Sequence, residues 1–283
     1  MKILLAVDGS KYGRWATDWV ARLPLAEVKK VTALHVVDLS ALKMPLVPHP
    51  VPAWDAPYVQ KEAQRLEARA DQVVKETRAR FASLKIKATV LREHGPVAET
   101  ILQQTNGAGT LTVIGSRGLD ALDRFMLGSV STKVIHHAKG SVLVVREPAR
   151  PIRRIVYATD GSRASLKALH FLQRQLVPKK DKGPAIEVAV LYAMPLLKYP
   201  ELKEPGHRLV ETAAAKLEQA GYLVEPVFKI GHPADEIIKF AERRRSDLVI
   251  SGARGRGALA RFLLGSVSTR LVQHSPCSVL VVR

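Results

Sequence analysis

The sequence predicts a doubly wound α/β domain with a five-stranded parallel sheet, present twice in tandem. Three observations carry that prediction. The chain has 283 residues, about twice the usual domain of ~100–150 residues. It repeats itself over long stretches. Within each repeat, short apolar runs alternate with segments of helical periodicity.

The repeat is direct. Residues 115–146 read GSRGLDALDRFMLGSVSTKVIHHAKGSVLVVR, and residues 252–283 read GARGRGALARFLLGSVSTRLVQHSPCSVLVVR; 20 of the 32 aligned positions are identical. The starts also match, as KILLAVDGS at 2–10 and RIVYATDGS at 154–162. Between these anchors the first copy is 15 residues longer. The seam at 147–153, EPARPIR, holds two prolines. These landmarks place the domains at 1–147 and 152–283.

In the first copy, residues 3–7 are a continuous apolar run, as in a strand buried on both faces. Trp15, Trp19 and Leu23 then recur at helical spacing. Residues 31–37 form the next strand. A long helix near 58–82 carries Leu66, Ala70, Val73, Thr77 and Phe81 on one face. Strand 86–91 follows, then a short helix with Val97, Ile101 and Leu102 that stops near Asn106-Gly107. Strand 110–114, a glycine loop, helix 129–138 and strand 141–145 complete the unit. In the second copy the strands fall near 154–158, 186–192, 223–229, 247–251 and 278–282. Its helices fall near 163–176, 207–220, 233–244 and 266–274. Strands alternating with helices imply a parallel sheet covered on both faces.

Composition bounds the function classes. Apolar residues are 47% and charged residues 25%, the balance of a globular protein. No run approaches the roughly 18 apolar residues of a membrane span. The opening MKILLAVDGSKYGR lacks the apolar length and cleavage site of a secretion signal and reads as a first strand. A single cysteine, Cys277, excludes an internal disulfide and argues against a cysteine metal cage. A cytoplasmic location is expected. The net charge of +18 attracts polyanions, although the basic residues are dispersed and only 243–245 form a compact run.

Two segments at strand ends stand out, where open parallel sheets bind ligands. The first is Asp8-Gly9-Ser10, repeated as Asp160-Gly161-Ser162. Such a carboxylate can accept hydrogen bonds from ribose or adenine; Asp and Ser also cap helices. The second is Gly115, two residues, Gly118, nine residues, then Gly128-Ser129, repeated with the same spacing as Gly252, Gly255 and Gly265-Ser266. Glycines let backbone N–H groups turn toward an anion. Gly128-Ser129 and Gly265-Ser266 each open a helix, so free N–H groups and the positive dipole end face the loop. The hydroxyls of Ser129, Ser131, Ser266 and Ser268 add donors. Two occurrences after matching strands favour phosphate binding over a plain turn.

On these motifs both halves resemble universal stress protein domains of the ATP-binding kind, over nearly the whole chain apart from the seam and an insert near 39–57. The resemblance implies a Rossmann-like open sheet of strand order 3-2-1-4-5, with strands one and four flanking the switch point. It implies that the adenosine end meets Ala6, Val7, Asp8 and Val36. Ile114, Gly115, Arg117 and Gly118 would line the crevice, and Gly128, Ser129, Val130 and Ser131 would hold the phosphates. The matching positions in the second copy are Ala158, Thr159, Asp160, Ala193, Ser251, Gly252, Arg254, Gly255, Gly265, Ser266, Val267 and Ser268. There Ala193 is smaller than Val36, and Ser251 replaces Ile114. It also implies that the terminal strands at 141–146 and 278–283 pair across a pseudo-twofold axis; further homodimerisation of the tandem chain is compatible with it.

Other motifs fail. No Walker A loop is present. Gly107-Ala108-Gly109 precedes a strand, whereas a dinucleotide fingerprint follows one. His136 and His137 are adjacent and point to different sides of a helix, so they pinch no metal well. Gly-Ser-Arg-Gly at 115–118 is not a nucleophile elbow, and no catalytic residue is assigned. The expected function is a non-catalytic adenine-nucleotide sensor that binds ATP, with or without Mg²⁺, and is read by a protein partner. The alternatives are a slow ATPase and a basic nucleic-acid or partner-binding module; aromatics are only 5%, too few for evident base-stacking platforms. The loops also differ in charge. Arg117 and Arg124 balance Asp120 and Asp123 in the first copy, while Arg254, Arg256 and Arg261 stand with Gly257 and Ala260 in the second, so the second site is expected to hold metal-free phosphates more tightly.

Overall fold

A computed structural model describes residues 1–43, 56–105, 109–118, 127–178, 185–195, 203–255 and 264–283. The first half runs β1 (Lys2–Ala6), α1 (Lys11–Arg22), β2 (Lys30–Val37), α2 (Ala56–Ser83), β3 (Thr89–His94), α3 (Val97–Gln104), β4 (Thr110–Gly115), α4 (Ser129–His137) and β5 (Ser141–Val145). The second half runs β6 (Arg154–Ala158), α5 (Arg163–Arg174), β7 (Glu187–Met194), α6 (Lys203–Glu218), β8 (Leu223–Ile230), α7 (Pro233–Arg243), β9 (Leu248–Gly252), α8 (Ser266–His274) and β10 (Ser278–Val282).

The central strands are mostly apolar because helices cover both faces. Every residue of β4, β5, β9 and β10 is buried. Alternate side chains enter two different cores. Ile3, Leu5, Val113 and Leu143 pack with Trp19 of α1 and Phe81 of α2. Leu4, Ile114, Val142 and Val144 pack with Ile101 of α3 and Ile135 of α4. Each core continues into the second half, through Leu172 and Leu217 on one face and Ile237 and Leu271 on the other.

The strands form one ten-stranded sheet of order β3-β2-β1-β4-β5-β10-β9-β6-β7-β8. Each half therefore has order 3-2-1-4-5, and all pairs within a half are parallel. The halves join where β5 meets β10 antiparallel, with Leu143 opposite Leu280. That pairing satisfies the backbone of two apolar strands that would otherwise be exposed edges. A second link is the bridge between Leu25 and Leu176, and Trp19 Nε1 donates to the Glu147 carbonyl at 2.9 Å.

The third strand begins at Thr89, three residues later than the strand expected at 86–91. The cause is the end of α2. Lys85 takes a left-handed φ of 56°, and the Ile86 N–H returns to the Phe81 carbonyl at 3.0 Å. Ile86 thus serves the helix C-terminus, in the manner of a Schellman closure. Gly107, Ala108 and residues 44–55 of the insert lie outside the described residues.

Candidate functional site

The turns after β1 and β6 have the same construction. Gly9 and Gly161 hold left-handed φ values of +80° and +73°, which glycine adopts without strain. The Ser10 N–H donates to Asp8 Oδ1 at 2.9 Å, and Ser10 Oγ accepts from the Gly13 N–H at 3.0 Å as the α1 N-cap. Ser162 repeats both contacts, to Asp160 Oδ1 at 2.9 Å and from the Ser165 N–H at 3.2 Å. The capping role therefore falls to the serines. The aspartates keep a second oxygen directed at the loop that follows the fourth strand.

The glycines of that loop divide into two kinds. A Cβ on Gly115 would stand 2.8 Å from Tyr12 Cβ, and one on Gly252 would stand 2.5 Å from the Ala164 backbone carbon. These two let the crossover helices α1 and α5 touch the strand ends, a packing reason distinct from anion binding. A Cβ on Gly118 would lie 3.1 Å from Asp8 Oδ2, and one on Gly255 would lie 2.8 Å from Asp160 Oδ2. Their bareness brings the loop backbone against the carboxylates.

Gly128 and Gly265 are the N-caps of α4 and α8, and neither helix start has a side-chain cap. Their N–H groups turn back to the Ser116 carbonyl at 2.9 Å and the Ala253 carbonyl at 2.8 Å. Among the described residues, the first-turn N–H groups that follow have no side-chain partner, the arrangement that attracts an anion. Ser129 and Ser266 are exposed, and Val130 and Val267 are half-buried. Ser131 and Ser268 are buried and donate their hydroxyls to the Gly115 and Gly252 carbonyls at 2.8 and 2.7 Å. The expectation that those two protons serve a ligand is therefore corrected: they tie the helix to the strand end.

All twelve positions expected in the second copy line one cavity of about 920 Å³: Ala158, Thr159, Asp160, Ala193, Ser251, Gly252, Arg254, Gly255, Gly265, Ser266, Val267 and Ser268. Ser251 sits at 4% exposure, and its hydroxyl lacks a hydrogen-bond partner among the described residues. In the first copy Val7, Val36 and Ile114 are buried, and Ala6 and Asp8 are half-buried. The Val7 N–H bonds the Leu34 carbonyl at 3.0 Å, which seats the β1 end beside β2. A Cβ on Gly128 would lie 3.4 Å from Arg117 Cα, so both ends of the glycine loop meet. The Arg117 guanidinium donates to the Tyr12 hydroxyl at 2.6 Å; the second copy has Ala164 in place of Tyr12. Asp120, Asp123, Arg124, Arg256, Gly257, Ala260 and Arg261, on which the charge comparison of the loops rests, lie outside the described residues.

Sequence reasoning missed part of the cavity wall. Tyr192 on β7 and Gly206 and Leu209 on α6 line it. Gly206 sits inside a helix because a Cβ there would stand 2.4 Å from Phe228 Cε2; a glycine within a helical pattern was the available signal. His136 also lines the second-copy cavity although it belongs to α4 of the first. Burial, then His137 and Arg283, hold its pKa below the ordinary histidine value. Among the described residues, no cluster of three or more His, Cys, Asp or Glu is placed to hold a metal. No described helix is long and apolar enough to cross a membrane.

Comparison with known proteins agrees with this arrangement. The family model described as "Universal stress protein family" matches residues 1–146 and again 151–283. A universal stress protein of Mycolicibacterium smegmatis is 27% identical over 99% of this chain and 96% of its own. One from Methanocaldococcus jannaschii is 30% identical over 50% of this chain and 87% of its own. The crystal structure of a universal stress protein from Archaeoglobus fulgidus has a TM-score of 0.70 over 100% of this chain and 98% of that one, at 20% identity, which shows the shared fold. The chain belongs to the universal stress protein family, as a tandem of two such domains.

Proposed function

We propose that each copy, over 1–147 and 152–283, binds an adenine nucleotide, with ATP as the leading ligand, and that occupancy of the loops is read by a protein partner. The observation that carries this reading is the duplicated crevice. An uncapped helix start at Gly128 and Gly265 faces the end of the strand that carries Asp8 and Asp160. The family resemblance supports it.

The residues fit such a group. In the second copy the cavity of about 920 Å³ is within the roughly 300–1,000 Å³ range of small-molecule sites. Its inner wall is apolar or small, from Ala158 and Ala193, and suits a flat base. The carboxylate of Asp160 is placed for a hydroxyl or amino donor. The N–H groups of Ser266, Val267 and Ser268 suit the phosphates, whose own charge Mg²⁺ would share. Asp8 and the N–H groups of Ser129, Val130 and Ser131 take these roles in the first copy.

Binding without turnover is the preferred form of the proposal. A slow ATPase is the enzymatic alternative, and it needs a group that activates water. The carboxylate in the cavity wall, Asp160, already holds the Ser162 N–H through Oδ1. Native mass spectrometry of the freshly purified chain tests the proposal. Retained adenine nucleotide, lost on Gly128→Val with Gly265→Val, is the expected result. A different retained ligand, or adenine nucleotide unaffected by both substitutions, would overturn it.

A further inference from the structure

The net charge of +18 has a local expression at the amino ends of the first copy's strands. The amino ends of the strands lie opposite the carboxyl ends where the crevices open. In the first copy that edge is basic. Lys2 and Lys30 are register partners at the starts of β1 and β2. The β2–β3 register pairs Thr32 with Thr89, and continuing it by two residues sets Lys87 beside Lys30. Partner strands lie ~4.8 Å apart, so the row Lys2–Lys30–Lys87 spans about 10 Å. Arg22 at the end of α1, Lys29 and Lys85 flank the row, and all six side chains belong to exposed residues. None of the six makes an ion pair among the described residues. Glu27 is the acidic residue beside them.

The second copy supplies the contrast. At the matching edge Arg154 and Arg244 share Glu187, at 4.0 and 3.0 Å, and Arg244 also pairs with Glu225. Arg150 pairs with Asp247 at 2.6 Å. The second copy's edge thus holds three carboxylates paired among its arginines, whereas the six basic residues of the first copy's edge have no such partner among the described residues.

We infer that the open edge of the first copy is a docking surface for duplex nucleic acid, held by its phosphate backbone without base readout. Unpaired lysines are point charges that neutralise phosphates and release counterions. A protein partner would want an apolar centre, where lysine is depleted. Stable attachment to a membrane surface takes apolar insertion as well as charge, and Val28 is the large exposed apolar residue at this edge. Aromatic side chains are absent from the six residues and from Glu27 and Val28, so a stacked single strand lacks its platform. The edge lies opposite the first copy's crevice, and because β5 and β10 are antiparallel it lies on the side of the sheet where the second copy's crevice opens; none of the six residues lines that cavity, so this inference does not depend on nucleotide binding there.

The test is fluorescence anisotropy of the full chain with a labelled 30-base-pair duplex between 50 and 300 mM NaCl. The triple variant Lys2→Gln, Lys30→Gln, Lys87→Gln is compared with Lys61→Gln, Lys75→Gln, Lys216→Gln, which removes the same charge elsewhere. Circular dichroism confirms that both remain folded. The expected result is that the edge variant reduces the salt slope of log K by about 2–3, at ~0.9 per lost phosphate contact, while the control variant leaves the slope unchanged. Equal effects of the two variants would overturn the inference, as would no duplex binding by the parent chain. Phosphatidylserine vesicles form the second arm. Vesicle binding lost in the edge variant, with duplex binding intact, would also overturn it.

Discussion

Arg146, the residue that follows β5, donates through Nη1 to the Val272 carbonyl in the last turn of α8, 2.7 Å away and in the other copy. Arg283, which follows β10, returns the contact to the Ile135 and His136 carbonyls of α4. Each half therefore caps the C-terminus of the other half's glycine-loop helix. Both arginines are half-buried, and burial lowers both pKa values. The junction is more than a strand pair: it fixes the two helices whose N-termini form the candidate anion sites.

Removing either arginine leaves helix carbonyls without a charged donor. Arg146→Ala and Arg283→Ala should each cost about 1.5–3 kcal/mol, read as a lower urea midpoint. Unfolding should remain one transition by fluorescence and far-UV circular dichroism, because one sheet and two shared cores run through both halves. Separate transitions for the two halves would contradict the continuous core.

The two kinds of loop glycine should separate cleanly. Gly252→Ala forces a methyl to 2.5 Å from backbone and should destabilise by about 1–3 kcal/mol. Gly265→Ala meets its nearest atom at 3.4 Å and should lie within about 1 kcal/mol of the parent, since the cap site tolerates it geometrically. Thermal unfolding checks both; equal losses would remove the distinction between packing and site glycines.

Thr112 is fully buried in β4, and its hydroxyl has no hydrogen-bond partner among the described residues. Thr112→Val keeps the shape and deletes the orphaned group. A stabilisation of about 1–2 kcal/mol is expected, measured by chemical denaturation. A destabilisation of that size would show that the hydroxyl is satisfied in solution.

Alkaline pH should weaken the fold. Burial raises the Cys277 thiol from 9.0 to about 12 and the Tyr157 hydroxyl from 10.0 to about 12. Both are neutral when protonated, and the unfolded chain releases their protons more easily. Their contribution is complete below the unfolded values and is lost as pH rises through about 9 to 12. The urea midpoint should therefore fall over that window, and Cys277 should resist a thiol reagent at pH 8 until the chain unfolds.

The fold was largely legible because its signals are local and repeated. Fully apolar runs such as 142–145 announce strands covered on both faces, and the repeat sets their order twice. The β3 start was misread because Ile86 is apolar for the sake of the α2 terminus. The site was legible where glycine spacing dictates backbone shape. It was illegible where tertiary contact decides a role. Nothing in the spacing shows that Gly115 answers to Tyr12, that Ser131 donates to the Gly115 carbonyl, or that His136 reaches the cavity of the other copy.

The central claim is that the uncapped helix starts at Gly128 and Gly265 hold the phosphates of a nucleotide. Isothermal titration calorimetry with Mg-ATP tests it most directly, on the parent chain, the single variants Gly128→Val and Gly265→Val, and the double variant, each confirmed as folded. The account predicts that each single substitution removes one site and that the double variant shows no binding heat. Undiminished binding by the folded double variant would contradict it.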